Sequence, residues 1–455
     1  MIKIQNTLIL QIVYSSGFDN YENAISCLRD AQKLSYKVMN YTVDMRTVFE
    51  TNAETNGINE RDYVKERYDK SVDGAISHIM GKKNDVNMLI SDTRGGAIRI
   101  ASQLYSKHRK DIQRGFRTRE NYTNPQPIII RKDGLQIYES DGDLYFKYSP
   151  YTRDYREAIG LAKLDQIIFR IKSPKNNYGK SKTVDIVRKC LSDDYPDWSF
   201  AASKIVRKGS GKKEKWYLHL TYSFPVEPAT NKGKLLDKTK YLGVDLGVVN
   251  AICASVLDDK EKNALIISGL DYMMHIRKLE KRKSEIQRWV AYCGEGKIGH
   301  GTKKRNESVI KLRGKIANYR DSVNRKMARV LIDYAIKNDC GTIQMEDLSG
   351  IKGQRSKRNK YLKDWVYYNL QLAIEQAAQK EGIDVIKVDP RYTSQRCSKC
   401  GAIHKENRKS QSEFVCEECG FTANADWNAS QNLATPYIDK IIRKAMPKKK
   451  YKEAV

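Results

Sequence analysis

Four cysteines late in the sequence have the residue type and the spacing of a metal site. They form two Cys-x-x-Cys pairs with fifteen residues between the pairs: Cys397, Cys400, Cys416 and Cys419. This spacing is typical of a zinc ribbon, and the glycine after each pair, Gly401 and Gly420, permits the tight turn that such a ligand pair needs. Because four thiolates leave no open position for water, we expect one structural Zn²⁺ ion.

Three carboxylates are candidates for a second metal centre. Asp245 lies in the apolar run YLGVDLGV, Glu346 ends the apolar run TIQME, and Asp426 begins a helix in NADWNASQNLA. A charged group in an apolar strand is costly unless it is paired or bound to a cation. Each of the three could also be an ordinary strand-end or helix-capping residue. Their order along the chain, strand then strand then helix, favours a shared site.

This ordered set is similar to that of the retroviral-integrase-like superfamily, in which carboxylates from neighbouring strands and a helix hold two divalent ions. Two ions roughly 4 Å apart can activate a water molecule and stabilise the leaving oxygen of a phosphodiester. Carboxylate ligands suit Mg²⁺, with Mn²⁺ as a substitute. We therefore expect two Mg²⁺ ions at these three residues.

The composition indicates a polyanionic partner. The 455 residues include 83 Lys and Arg against 55 Asp and Glu, a formal net charge of +28. Nucleic acid is the natural candidate, although a ribosomal-type or solubilising basic surface would have the same composition. The sequence contains neither the run of about 18 apolar residues that a membrane helix needs nor a secretory signal. We expect a soluble intracellular protein without a membrane partner.

Hydrophobic periodicity divides the first half of the chain into strands and helices. Residues 1–17 predict a first strand, and residues 18–118 predict basic amphipathic helices. Residues 119–225 alternate apolar and polar positions around glycine-containing turns, which is typical of an antiparallel β domain. The polar residues 226–239 are interpreted as a linker.

The second half of the chain has an α/β pattern. Residues 240–395 predict buried strands and helices, with long basic helices over 272–339. The ribbon occupies 396–423, a final helix spans 424–442, and 443–455 form a basic tail that we expect to be disordered. In this order, the ribbon is inserted just before the helix that carries Asp426.

The combination of motifs is more specific than its parts. The segments GVDLGV, QMEDL, DPRYTSQRCSKCG and FTANADWNAS together resemble the transposon-encoded TnpB nucleases and their CRISPR descendants, the miniature type V-F effectors, over residues 241 to about 442. The resemblance implies an α/β multidomain fold: an RNase H-like RuvC nuclease domain with an inserted four-cysteine zinc ribbon. An antiparallel β wedge domain with an inserted helical recognition domain would precede it.

The resemblance also implies roles for individual residues. By position, Asp245, Glu346 and Asp426 match the catalytic carboxylates, and the four cysteines match the ribbon ligands. Arg408 is placed like a family arginine that faces the scissile phosphate, although a solvated loop charge is the alternative. The implied partners are a guide RNA, target double-stranded DNA and a second copy of the chain on one guide RNA.

The expected function is therefore that of a CRISPR RNA-guided DNA endonuclease. It would bind a guide RNA, recognise a protospacer-adjacent motif and hydrolyse target DNA by a two-metal mechanism. Three alternatives stay open: a TnpB nuclease with a transposon-derived RNA, a cleavage-inactive RNA-guided DNA-binding protein, and a transposase or resolvase. Three intact carboxylates argue against the second, and the ribbon placement argues against the third.

Overall fold

The computed structural model describes residues 3–16, 21–82, 87–123, 126–160, 167–172, 181–209, 214–292, 304, 306–348 and 367–446. The chain forms two compact units, Met1–Pro225 and Val226–Val455. Most of the predicted basic tail, 447–455, lies outside the described residues. Among the described helices, none is long and apolar enough to cross a membrane.

The first unit contains a layer of helices: α1 (Tyr21–Thr55), α2 (Glu60–Tyr68), α3 (Val72–Gly81) and α4 (Ser91–Gln113). Polar side chains cap the N-termini of the short helices α2 and α3. The Asn59 side chain accepts a hydrogen bond from Asp62 N at 2.9 Å, and Ser71 Oγ accepts one from Gly74 N at 3.2 Å. Such caps satisfy backbone N–H groups that have no partner within the helix.

The first unit also contains an eight-stranded sheet with the order β2-β7-β8-β1-β5-β4-β3, in which β6 pairs with β8. The strands are β1 (Lys3–Ser16), β2 (Ile128–Ile130), β3 (Gln136–Ser140), β4 (Asp143–Tyr148), β5 (Ile167–Lys172), β6 (Ser199–Phe200), β7 (Ser203–Lys208) and β8 (Lys215–Pro225). The first strand pairs antiparallel with β8 and β5, so it lies in the middle of a sheet whose other strands follow the helices.

Alternation along the strands explains this sheet. In β8, the side chains of Trp216, Leu218, Leu220 and Tyr222 are buried, whereas the residues between them are half-buried. A period of two therefore buries one face of the strand. Two helices, α5 (Arg153–Ala158) and α6 (Lys182–Leu191), interrupt the region predicted to contain only strands.

The polar segment 226–239, predicted as a linker, contains a β-hairpin. Strands β9 (Thr230–Asn231) and β10 (Lys234–Leu235) are joined by two residues with positive φ, 49° at Lys232 and 78° at Gly233. Positive φ at both positions is the geometry of a tight two-residue hairpin turn. The linker prediction rested on polarity and missed this turn.

The second unit contains a five-stranded sheet with the order β13-β12-β11-β14-β15. Its strands are β11 (Asp237–Asp245), β12 (Asn250–Val256), β13 (Leu265–Ser268), β14 (Cys340–Glu346) and β15 (Asp384–Val388). The first three strands are antiparallel, and β14 and β15 run parallel to β11. The six residues of β14 before Glu346 are all buried, as expected of a parallel strand covered on both faces.

The described residues of this unit form five helices beside the sheet: α7 (Leu270–Tyr292), α8 (Glu307–Lys337), α9 (Tyr367–Lys380), α10 (Ala425–Ala434) and α11 (Ile438–Ala445). The single final helix predicted over 424–442 is thus two helices. Thr435 ends the first in an extended conformation, Pro436 follows, and Tyr437 has a left-handed φ of 57°. Proline removes a backbone donor and disfavours a helical residue before it, so the helix stops there.

Candidate active site

Two of the predicted carboxylates end neighbouring strands. In the parallel pair of β11 and β14, Val244 lies opposite Met345. The next residues in the two strands are Asp245 and Glu346, so both reach the same edge of the sheet. Loops at this edge of a parallel sheet form clefts, which is where ligands bind in open α/β folds.

The third carboxylate arrives on α10, which lies directly on β11. A Cβ atom at Gly243 would lie 2.0 Å from the carbonyl oxygen of Ser430 and 2.2 Å from the backbone nitrogen of Ala434. Only glycine permits this approach. The side chain of Asn424 caps the helix by accepting from Asp426 N and Trp427 N. Asp426 is therefore in the first turn, and its carboxylate is not the cap that its position in the sequence allowed.

Buried polar side chains fix α10 to the sheet. Ser430 Oγ lies 2.6 Å from Ser255 Oγ, and Gln431 Nε2 donates to Ser255 Oγ at 2.9 Å and to the carbonyl of Val256 at 2.7 Å. From β14, Gln344 Nε2 donates to the carbonyl of Leu433 at 2.8 Å. Directional bonds of this kind specify one placement of a helix more strictly than apolar contact does.

The three carboxylates line one cavity of about 340 Å³, with the residues Leu246, Gly247, Val248, Val249, Asn250, Pro390, Ser394, Arg408 and Gln411. Burial raises the pKa of Asp245 well above its usual value, and the charges of Glu346 and Asp426 raise it further. Burial also raises the pKa of Glu346. Three acidic groups that repel one another around one cavity form a site that a divalent cation would neutralise.

Two further contacts to these carboxylates were not anticipated from the sequence. Asn250 Nδ2 donates to Asp426 Oδ2 at 2.8 Å, and the Thr393 hydroxyl donates to Glu346 Oε1. In the sequence, Asn250 follows a glycine turn and Thr393 lies in the segment DPRYTSQR. Both patterns indicate loops, but neither indicates that the side chain would bond to one of the carboxylates. The signal that could have found them is chemical: a carboxylate placed for function needs a neighbouring donor.

The structure also brings Arg408 to the cavity. Its Nη2 lies 3.7 Å from Asp426 Oδ1, and its guanidinium donates to the carbonyls of Ser410 at 3.4 Å and Gln411 at 3.2 Å. Burial raises the pKa of Asp245 and of Glu346, and the positive charge of Arg408 offsets part of that rise. The guanidinium is therefore oriented by its own loop and lies beside the carboxylates.

The four cysteines converge as their spacing predicts. All four Sγ atoms lie within 4.8 Å of one another, so the cluster can hold one metal ion. Each pair forms the same turn: Gly401 N donates to the carbonyl of Cys397 at 2.9 Å, and Gly420 N donates to that of Cys416 at 3.0 Å. The two glycines have φ of 82° and 66°, which is the left-handed region that favours glycine.

Hydrogen bonds join this ribbon to the helix that carries Asp426. Asn428 Oδ1 accepts from Ser398 N at 2.9 Å, and Asn428 Nδ2 donates to the carbonyl of Arg396 at 2.9 Å. At the far side of the ribbon, Ala425 N donates to the carbonyl of Ser412 at 3.0 Å. The ribbon and the start of α10 therefore form one hydrogen-bonded block.

Comparison with solved structures identifies the class of fold. The chain is similar to the protein in a cryo-EM structure of a Cas12f1–sgRNA–target DNA complex, with a TM-score of 0.67 and 20% sequence identity, covering 95% of this chain and 99% of the other. The α/β multidomain fold is thus of the Cas12f type. The family model for the Cas12f1-like TNB domain matches residues 367–433, which include all four cysteines.

Comparison with curated proteins identifies the family. The chain is 35% identical over 365 residues to a CRISPR-associated endodeoxyribonuclease Cas12f1 of Sulfoacidibacillus thermotolerans, covering 80% of this chain and 81% of the relative. It is 26% identical to a TnpB-like protein of Aquifex aeolicus, covering 53% of this chain and 79% of that relative. The chain belongs to the Cas12f1 family. This confirms the resemblance to miniature type V-F effectors and to TnpB.

Proposed function

We propose that this protein is an RNA-guided DNA endonuclease that hydrolyses target DNA at Asp245, Glu346 and Asp426 with two Mg²⁺ ions. The observation that carries the proposal is the convergence of these three carboxylates, from two parallel strands and a helix, on one cavity. Burial and the charges of Glu346 and Asp426 raise the pKa of Asp245, so a divalent cation that neutralises the three carboxylates would be favoured in this cavity. The chain's Cas12f1 relatives are named endodeoxyribonucleases, which supports the same activity.

The geometry suggests a division of roles among these residues. Mg²⁺ pairs in such sites activate a water molecule and stabilise the leaving oxygen. Asp245, Glu346 and Asp426 line the same cavity and would hold the ions. The hydrogen bonds from Thr393 to Glu346 and from Asn250 to Asp426 would limit the motion of these two ligands. Arg408 would orient the scissile phosphate by a charge-assisted hydrogen bond.

We assign the second unit to the RuvC nuclease domain, residues 240–395 and 424–442, on its topology. Three antiparallel strands followed by two parallel strands, with acids ending the first and fourth strands, are the arrangement of RNase H-like nucleases. The basic helices α7 and α8, which cover most of the predicted helical region 272–339, follow the third strand. Their lysines and arginines are candidates for contacts to nucleic-acid phosphates.

We assign a structural Zn²⁺ ion to the ribbon, residues 396–423. The donor set consists of four thiolates, which suits Zn²⁺ and leaves no position for a reacting water. Because Asn428 and Ala425 bond to the ribbon, the ion would stabilise the helix start that presents Asp426. The zinc ion would therefore contribute to folding and to the position of Asp426.

We assign guide-RNA binding to a wedge domain, residues 1–17 and 119–225, and recognition of the protospacer-adjacent motif to the helical residues 18–118. A groove along α3 supports the second assignment. It is lined by the basic side chains Lys70, Lys82 and Arg94, by His78, and by the small residues Ser71, Gly74, Ser77 and Gly81. Small side chains would let a sugar-phosphate backbone approach, and the basic side chains would neutralise its charge.

The CRISPR reading is preferred over the TnpB alternative because the Cas12f1 relative covers 80% of this chain and the TnpB-like relative covers 53%. A cleavage-inactive protein is disfavoured because the three carboxylates share one cavity. We also propose that two copies bind one guide RNA, which mass photometry of the protein with and without RNA would test.

The test is cleavage by the protein purified with RNA from its genomic neighbourhood. After the bound RNA is sequenced, the complex is incubated with Mg²⁺ and a plasmid that matches the guide, flanked by a library of motifs. Guide-dependent cutting that EDTA or Asp245→Ala abolishes supports the proposal. The control is Asp258→Asn, an exposed acid in a left-handed turn that asparagine tolerates. Bound RNA without cutting would favour the cleavage-inactive RNA-guided DNA-binding protein. If no RNA is bound, the proposal that RNA guides the protein is refuted.

A further inference from the structure

A buried hydroxyl holds one of the site carboxylates. Thr393 is fully buried, and its hydroxyl donates to Glu346 Oε1. The same hydroxyl oxygen lies 3.0 Å from the carbonyl oxygen of Pro390. A hydroxyl has one hydrogen, and an ionised carboxylate is a stronger acceptor than a peptide carbonyl, so the bond to Glu346 is preferred. One oxygen of Glu346 is thereby committed to Thr393, and the other is available to a cation.

Thr393 is itself held by the structure around it. Its carbonyl accepts from Asn432 Nδ2 at 3.0 Å, and Asn432 is fully buried. The preceding residue, Tyr392, has a φ of 66° and packs against the apolar cluster that includes Val388 and Leu433. A left-handed conformation is sterically unfavourable for a residue with a Cβ atom and persists where its surroundings impose it, often at functional sites.

The same contacts continue to the cysteine ribbon. Asn432 Nδ2 also donates to the carbonyl of Arg396 at 2.7 Å, and Asn432 Oδ1 accepts from Arg396 Nη1 at 2.6 Å. Arg396 Nη2 lies 3.2 Å from the point that a Cβ atom at Gly401 would occupy. The guanidinium of Arg396 therefore lies against the first cysteine turn while it bonds to the residue that holds Thr393.

We propose that Thr393 is a positioning residue for cation binding by Glu346, and that the ribbon sets its position through Arg396 and Asn432. The inference rests on the proposed function. A glutamate side chain has several rotatable bonds, and a fixed donor on one oxygen limits the geometries of the other. Donors that orient a metal ligand influence metal affinity without touching the metal.

The matched pair Thr393→Val and Thr393→Ser tests this. Valine is similar in size but has no hydroxyl, whereas serine retains it. Mn²⁺ affinity is measured by electron paramagnetic resonance on the zinc-loaded protein without nucleic acid, with Asp245→Asn as the baseline. The Mg²⁺ concentration for half-maximal plasmid cleavage is measured in parallel. We expect Thr393→Val to weaken Mn²⁺ binding and to raise the Mg²⁺ requirement by about 10- to 100-fold, with restoration by serine or by excess Mg²⁺.

Wild-type Mn²⁺ affinity in Thr393→Val would overturn the inference, as would a cleavage defect that neither serine nor excess Mg²⁺ restores. Should the valine variant lose its thermal transition, Arg396→Lys provides the second test, because lysine keeps the charge at the ribbon but loses the paired contact with Asn432. It should weaken Mn²⁺ binding with zinc content unchanged, and wild-type affinity there overturns the inference. Failure of the proposed function is distinguishable, since Asp245→Asn would then cut like the wild type.

Discussion

Asn250 Nδ2 donates a hydrogen bond of 2.8 Å to Asp426 Oδ2, so the first residue of β12 holds a carboxylate that follows it by 176 residues. The other oxygen of Asp426, Oδ1, lies 3.7 Å from the guanidinium of Arg408. The amide is neutral and does not repel a cation, whereas the guanidinium does. The two neighbours therefore act differently on a cation that binds Asp426.

Removal of the neutral neighbour should impair catalysis more than folding. Asn250→Ala deletes a hydrogen bond to a charged group, which contributes about 1.5–3 kcal/mol and corresponds to roughly a 10- to 100-fold loss of cleavage rate. The rate is measured under single-turnover conditions with saturating RNA. The melting temperature should change little because Asn250 is half-buried, so water can replace the lost donor in the folded state without fixing the position of Asp426. A wild-type rate would show that Asp426 needs no such partner.

The closeness of α10 to β11 predicts a large effect of one methyl group. Gly243→Ala would place a Cβ atom 2.0 Å from the carbonyl of Ser430, so the helix must shift. We expect a loss of about 1–3 kcal/mol in unfolding free energy, measured by urea denaturation. The control is Gly314→Ala on α8, where a Cβ atom has open space and alanine should stabilise by about 0.5–1 kcal/mol. Equal effects of the two substitutions would contradict the packing argument.

The raised pKa of Asp245 predicts a stability that depends on pH. A carboxyl group whose pKa is higher in the folded than in the unfolded state destabilises the fold as pH rises above the unfolded value of about 3.9. Without added Mg²⁺, Asp245→Asn should therefore melt at a higher temperature than the wild type at pH 7. The difference should shrink as the pH is lowered towards about 4. Calorimetry across this range checks the sign, and an unchanged or lower melting temperature at pH 7 would refute it.

The contacts between the ribbon and α10 predict that the loss of one cysteine ligand affects the stability and activity of the whole unit. Cys400→Ser should reduce bound zinc below one equivalent and lower both the melting temperature and the cleavage rate, because structural zinc contributes folding free energy directly. Zinc content is measured by mass spectrometry of the purified protein. Cys190→Ser changes a thiol outside the cluster and should leave the zinc content unchanged. Full zinc occupancy and activity in Cys400→Ser would contradict the assignment.

The groove along α3 predicts a salt-dependent contribution to binding. The double substitution Lys70→Gln and Lys82→Gln removes two groove cations, so the slope of log affinity against log salt should fall by about 2. Binding of target duplex by the RNA-loaded protein is titrated at several salt concentrations. Lys65→Gln on α2, a lysine that pairs with Asp69, is the matched control and should leave the slope unchanged. An unchanged slope in the double variant would exclude the groove from the interface.

Local patterns were sufficient to anticipate much of the fold. The alternation over β8 and the continuous apolar run of β14 indicate strands because burial on one face or on both leaves a direct signature. The cysteine spacing likewise carries its own geometry, since each pair and its glycine form one turn. The shared cavity of Asp245, Glu346 and Asp426 was anticipated from their unusual sequence settings and from the family resemblance.

Long-range contacts have no such signature. Neither the bond between Asn250 and Asp426 nor that between Thr393 and Glu346 can be inferred from spacing, because each depends on how distant segments pack. Gln344 in β14 shows the limit of prediction from local sequence. A polar residue inside an apolar strand needs a buried partner, which predicts that a bond exists but not that it goes to the end of α10. The end of α10 before Pro436 could have been predicted from the proline alone, but a single helix was predicted there.

The close packing of α10 on Gly243 of β11 has a consequence for protein synthesis. The strands that end in Asp245 and Glu346 leave the ribosome well before the helix that must lie on Gly243 and deliver Asp426. A nascent chain that ends before residue 425 therefore has two of the three acids and an uncovered strand. Incomplete translation products that end before α10 therefore lack the full set of carboxylates and, under the proposed function, would not cut the genome of the cell that makes them.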